Sequence, residues 1–295
     1  MHTIAKAHLG AAEFLAEYLE AFCDQTGLRW GPNPRSLFWY RPAVFHVLEF
    51  FVMHLALLLL YFATKSFYRR EVLRRPPTRN PDSTLDLVLG TVLMLCWLSQ
   101  VVFKALRPNP IVQLCWLAMP CHLITLIWTY VLLTKGQNNW PQVVYYATLA
   151  CVYHWGPVSA AMFPDWNDHV FKAVEGPVFL VHHGILVAMP FYWALRYELQ
   201  PLTWRFIGHF TLVATFTNVG IYTLLSYVSG INVNYMLYPP PKVAHWPFLD
   251  TPYYRFYVIG LLIVLSIALW LVLRVVNAFG RLFRRGPAGK KVKSS

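Results

Sequence analysis

The stretch YVIGLLIVLSIALWLVLRVV (257–276) decides the fold, because it runs seventeen residues before its only charge, Arg274. A bilayer core of about 30 Å asks for about 20 apolar residues in helical form. This segment meets that length and holds no turn signal other than Gly260. Working outward from it, six more segments have similar length and apolarity, so that spans fall at 43–66, 84–105, 111–134, 141–163, 176–197, 203–228 and 256–279. The whole chain agrees. Its 295 residues are 57% hydrophobic and 13% charged, whereas a soluble domain carries about 25% charged residues; mean hydropathy is +0.43. The expected fold is an all-α integral membrane protein, a bundle of seven transmembrane helices over 43–279. An amphipathic segment (1–42) precedes it and a basic tail (280–295) follows. In the first segment Ile4, Leu9, Phe14, Leu15, Tyr18 and Phe22 share a stripe opposite Glu13, Glu17 and Glu20, the pattern of an interfacial helix. Those three carboxylates exclude a signal peptide.

A net charge of +12 would point to nucleic acid in a soluble chain. Beside membrane spans it reports orientation instead, and no nucleic-acid partner is expected. Nine of the 25 Lys and Arg lie in the N-terminal segment and in the loops after the second, fourth and sixth spans; sixteen lie on the other side, concentrated in KSFYRREVLRRPPTR (65–79) and the tail from Arg274. The excess places the N-terminus lumenal or outside and the C-terminus in the cytosol. The tail ends GKKVKSS, with Lys291 and Lys293 at the spacing of a dilysine retrieval signal, which points to the endoplasmic reticulum; a polybasic contact with anionic lipid is the plainer reading of the same lysines. Five scattered cysteines make neither a disulfide framework nor a CxxC zinc site.

Ionisable residues within spans are costly, so they mark function by default. The polar candidates are His46, Glu49 and His54, then Gln100, then Cys121 and His122, His154, His182 and His183, and finally His209 and Asn218. Helical rise puts Cys121 about 15 Å, His183 about 10 Å and Glu49 about 9 Å below the outer surface, with His154 and Asn218 at similar depth. The expectation is a polar chamber in the outer half. For His46, His54, His154 and Asn218 the competing reading is a hydrogen bond between helices, and His209 reads as interfacial. Cys96, Cys115 and Cys151 read as small packing residues. Cys121 differs, because in AMPCHL it follows a proline that opens space beside the thiol. A nucleophilic cysteine needs a base. His122 is its sequence neighbour, and His183 stands at similar depth on a parallel helix.

The stretches MPCHLITLIWTYVLL (119–133), VHHGILVAMPFYWAL (181–195) and INVNYMLYP (231–239) carry a family resemblance. In order and spacing they resemble the cysteine helix, the histidine helix and the helix 6–7 loop of the transmembrane protein 164 family, over roughly 111–257. The family is itself distantly similar to the androgen-induced-gene membrane hydrolases. The chain departs from the pattern in a second histidine, His182, and in Asn218 where the pattern suggests histidine. The resemblance implies a seven-helix phospholipid acyltransferase, independent of coenzyme A. It would move a polyunsaturated acyl chain from a donor phospholipid to a lysophospholipid, chiefly an ether lysophospholipid. Cys121 is then the nucleophile and His183 its base, in ping-pong transfer through a thioester. His122, Asn218, Asn232 and Asn234 are candidate oxyanion donors, with His182, Tyr235, Glu49 and His154 as substrate or supporting residues. The scheme calls for no metal and no cofactor. Three rivals stand beside it: a hydrolase of the same bundle, a zinc enzyme with His46 and Glu49 as ligands, and a seven-helix receptor or transporter. Against the last two, no HxxxH or HExxH motif and no internal repeat is found.

Overall fold

The computed structural model describes residues 43–71, 83–135, 139–164, 172–197, 204–229, 231–236 and 253–284, with Gly10, Phe14, Tyr18, Leu199, Trp246, Pro247 and Leu249 as isolated positions. Among the described residues there is helix and turn but no strand. Most of 1–42, the dilysine tail and the side chain of His46 lie outside them; Phe14 and Tyr18 are helical and stack at 6.5 Å.

The helices are α1 (Ala43–Glu71), α2 (Thr84–Ala105), α3 (Pro110–Cys115), α4 (Pro120–Leu133), α5 (Trp140–Val152), α6 (Trp155–Met162), α7 (Lys172–Arg196), α8 (Trp204–Thr215), α9 (Thr223–Ser229) and α10 (Tyr254–Arg284). A π-helical turn, Phe216–Tyr222, joins α8 to α9; short 3-10 turns occupy Trp116–Ala118 and Val233–Tyr235. All seven apolar segments are thus helical, but their continuity differs. Within 84–105, 173–196 and 254–282 a single helix is long and apolar enough to cross a membrane. A fourth crossing follows if the pair 110–118 and 120–133, bent by 63°, counts as one span. The apolar part of α1 is the shorter stretch Leu48–Thr64, 141–163 is divided between α5 and α6, and 203–228 runs through α8, the π-helical turn and α9. The last helix continues to Arg284, five residues into the expected tail.

Sequence explains these boundaries. Ser83 caps α2, its hydroxyl accepting from the Leu85 amide at 3.2 Å, which serves one of the orphan donors of a helix start. Proline opens α3 and α4 at the first helical position, where a missing N–H costs nothing. The core lies between α2, α4, α5, α7 and α10 and is built on aromatic rings: Trp193 stacks on Tyr197 at 4.2 Å, with Trp140 5.8 Å from Tyr197 and Trp128 5.9 Å from Trp193. Helix α10 comes so close to α7 that a β-carbon on Gly280 would stand 2.5 Å from the Leu195 carbonyl oxygen. Outward faces remain apolar, with Phe51, Val52, Leu55 and Leu59 on α1 and Leu261, Val264, Leu271 and Val275 on α10 exposed. A belt of this kind suits hydrocarbon and not water.

Buried polar groups also occur at the other end of the bundle from the cysteine. At the opposite end of α2 from the cysteine, Asp86 is fully buried and bonded to Lys135, to Tyr192 and, at 2.6 Å, to Tyr197. Nearby, Asn277 donates to the carbonyls of Ala194 and Tyr197, both at 2.6 Å, and so serves the orphan acceptors at the end of α7.

Candidate functional site

The expected kink at Pro120 is a complete break. Met119 takes an extended conformation (φ −57°, ψ 147°), the geometry that a following proline imposes. Helix α4 then starts afresh, so Cys121 occupies its second position instead of the middle of a span. The thiol lies in the first turn of α4, where the His122 N–H donates to the Met119 carbonyl at 3.0 Å. A helix start favours negative charge at this point. Gly156 on α6 permits the break: a β-carbon there would lie 2.9 Å from Cβ of Pro120. Cys121 is half-buried, and it packs against the edge of the main core.

Three histidines gather around this turn. The Thr125 hydroxyl lies 2.7 Å from the Cys121 carbonyl oxygen and 2.5 Å from Nε2 of His182. A carbonyl only accepts, so the threonine proton goes to it, and His182 must donate from Nε2 to the threonine oxygen. Nδ1 of His182 is then a bare lone pair, buried and without a partner. His183 is fixed by the same logic. Its Nδ1 donates to the Phe179 carbonyl at 3.0 Å, which leaves Nε2 bare, buried and unpaired. His122 stacks on His182 at 5.9 Å, and the rings of His182 and His183 are 5.0 Å apart; Nδ1 of His122 is also open. The thiol makes no side-chain hydrogen bond to any of them among the described residues.

A second layer braces the turn. Asn218, on the π-helical turn, donates to the Ala214 carbonyl at 2.8 Å and accepts from Nδ2 of Asn234 at 2.5 Å. The Asn234 amide donates to Sδ of Met119 at 3.1 Å, so the loop after α9 is tied to the residue two before Cys121. Asn234 and Tyr235 both have positive φ, 51° and 58°, a conformation that is uncommon for asparagine and costly for tyrosine. The loop is held there from the next helix. Tyr254 donates to the Tyr235 carbonyl at 2.8 Å, and Arg255 donates from Nε to the Met236 carbonyl at 2.5 Å. Arg255 also pairs with Glu49 at 2.5 Å, which makes Glu49 part of the brace rather than a lining residue. Asn232 is buried in the same loop. His154 stands at the break between α5 and α6, its ring 6.2 Å from Phe191, outside the histidine group. His209 is buried beside Tyr145.

Two residues beside the thiol escaped sequence reasoning. Lys104 is buried at the end of α2, and its charge is felt at both Cys121 and His122. Tyr222, the last residue of the π-helical turn, belongs to the buried cluster against which Trp116 and Met119 pack, with its phenol in electrostatic reach of Cys121. The lysine had been counted only toward topology, and the tyrosine is one of seventeen. Among the described residues no group of three or more His, Cys, Asp or Glu side chains is arranged to hold a metal ion.

A curated relative, the transmembrane protein 164 homolog of Dictyostelium discoideum, is 25% identical over 200 residues, covering 65% of this chain and 68% of its own. No solved structure matches. The sequence profile of the TMEM164 family matches residues 38–273, from the start of α1 nearly to the end of α10 and across every part of the site, and the chain therefore belongs to the TMEM164 family.

Proposed function

We propose that this protein is a membrane-embedded, coenzyme A-independent phospholipid acyltransferase. It spans the bilayer seven times, with its N-terminus lumenal or outside and its C-terminus cytosolic, and Lys291 and Lys293 hold it in the endoplasmic reticulum. The observation that carries the activity is the pairing of a half-buried thiol at a helix start with buried histidine nitrogens whose tautomers leave a lone pair bare.

His183 takes the Cys121 proton through Nε2, and the thiolate attacks an ester carbonyl of the donor phospholipid. The carbon–sulfur bond forms, the lysophospholipid leaves as alkoxide, and the proton on His183 returns to it. In the second half, the hydroxyl of an acceptor lysophospholipid gives its proton to His183 and attacks the thioester. The new ester forms and the thiolate departs. Because the thiol and His183 are not hydrogen-bonded in the resting molecule, substrate binding must align them, as catalytic hydrogen bonds commonly tighten only in the substrate complex. A polyunsaturated acyl group and an ether lysophospholipid are the proposed substrates.

The purified full chain, given a labelled donor phospholipid and an ether lysophospholipid, should transfer the label and form a hydroxylamine-labile adduct. Cys121→Ala should lose both. Retained transfer in that variant would sink the proposal, and release of free fatty acid in place of transfer would make the protein a hydrolase.

A further inference from the structure

Attack on an ester carbonyl places a negative charge on its oxygen, and rate depends on a donor already aimed at that oxygen. The four donors proposed from sequence are poorly free for this task. Nδ2 of Asn218 is engaged by the Ala214 carbonyl, and Nδ2 of Asn234 by Asn218. Asn232 is buried in the brace, and the His122 ring is turned onto His182. Tyr222 is different. It is 3% exposed, yet its hydroxyl has no hydrogen-bond partner. A buried tyrosine hydroxyl ordinarily finds one. It belongs to a buried apolar cluster with Ile231, Val233 and Met236, against which Trp116 and Met119 are packed. Met119 is the residue that ends the break before Cys121. The π-helical turn adds one residue to the helical circuit, which rotates this side chain out of the α-helical register; such turns recur at functional sites.

Resting on the acyl-transfer reading above, we propose that Tyr222 is a further catalytic residue, whose phenol O–H donates to the oxyanion formed when the Cys121 thiolate attacks the ester carbonyl. In the step the carbon–sulfur bond forms as the carbonyl π pair moves onto oxygen. The Tyr222 proton stays on the phenol throughout and is shared with that oxygen. Collapse returns the pair to the carbonyl and expels the lysophospholipid. The same donor serves the second half-reaction, whose tetrahedral intermediate has its oxyanion in the same place.

Tyr222→Phe keeps the ring and removes the donor. In the purified full chain, both formation of the hydroxylamine-labile adduct and overall transfer should slow by about 100-fold or more, with the donor KM within about threefold of the parent. Alkylation of Cys121 by iodoacetamide displaces iodide from a saturated carbon and passes through no oxyanion, so its rate should be unchanged. Adduct formation at the parental rate in Tyr222→Phe would overturn the proposal and leave Cys121 catalysis standing. Equal slowing of adduct formation and alkylation would overturn it too, since the tyrosine would then act only on the shape of the thiol pocket. Transfer surviving in Cys121→Ala is the separate outcome that removes the underlying reading.

Discussion

At one end of the helices Asp86 receives hydrogen bonds from Lys135, Tyr192 and Tyr197, Lys135 also donates to the Tyr197 hydroxyl at 2.8 Å, and Asn277 closes the end of α7. At the other end, about 27 Å along α2 judged by the rise from Asp86 to Lys104, Nδ1 of His122, Nδ1 of His182, Nε2 of His183 and the Tyr222 hydroxyl are buried with nothing to bond. Both ends are polar and both are built from residues far apart in the chain. One is a closed network, which fixes the helices against one another. The other spends its hydrogen bonds on holding backbone and tautomers and leaves its reactive atoms bare. Buried polar groups are normally satisfied, so an end that holds several open ones is kept for something that arrives later. Open buried atoms also occur elsewhere, at Nε1 of Trp128, Oγ1 of Thr129 and Nε of Arg281, so what sets the cysteine end apart is that several of them surround a thiol.

The comparison can be broken first at Asp86. Asp86→Ala strands the Lys135 ammonium and two phenols, and removal of one partner from a buried ion pair costs about 3–5 kcal/mol. Thermal unfolding of the detergent-solubilised protein should show the largest loss of any single change considered. An unchanged melting temperature would mean that the closed end does not hold the bundle together.

This division was only half legible in the sequence. Histidines and a cysteine in apolar helices stand out because they are rare there, and the stretches around Cys121 and His183 hold residues that the fold brings to one helix break. Asp86 did not, because it sits three residues into its helix, where a carboxylate looks like an interfacial residue or a first-turn charge complementing the dipole. Its partners are 49, 106 and 111 positions away, and Lys135 reads as part of a polar turn. Glu49 stood out as a membrane carboxylate, but its pairing with Arg255 across 206 positions could not be seen from either residue. Pro120 was visible as an interruption, yet kink and break differ only in what packs behind, and that is decided by Gly156 on another helix. Tyr222 was hidden by the π-helical turn, since a 3.6-residue period assigns it to the wrong face.

The same chemical change made at both ends gives the finest test. Tyr197→Phe removes a hydroxyl that stands between the Asp86 carboxylate and the Lys135 ammonium, and hydrogen bonds to charged groups contribute about 1.5–3 kcal/mol. Tyr222→Phe removes a hydroxyl that bonds to nothing, so no interaction is lost and a desolvation penalty is relieved; the change in stability should be within about 0.5 kcal/mol of zero or slightly favourable. Both rings stay packed, Tyr197 on Trp193 and Tyr222 within its buried apolar cluster, which removes cavity formation from the comparison. Unfolding measured side by side should rank Tyr197→Phe well below Tyr222→Phe in stability, and activity should rank them in the reverse order. Equal destabilisation by the two would show that the Tyr222 hydroxyl is bonded in the resting protein, and the open end would then be as closed as the other.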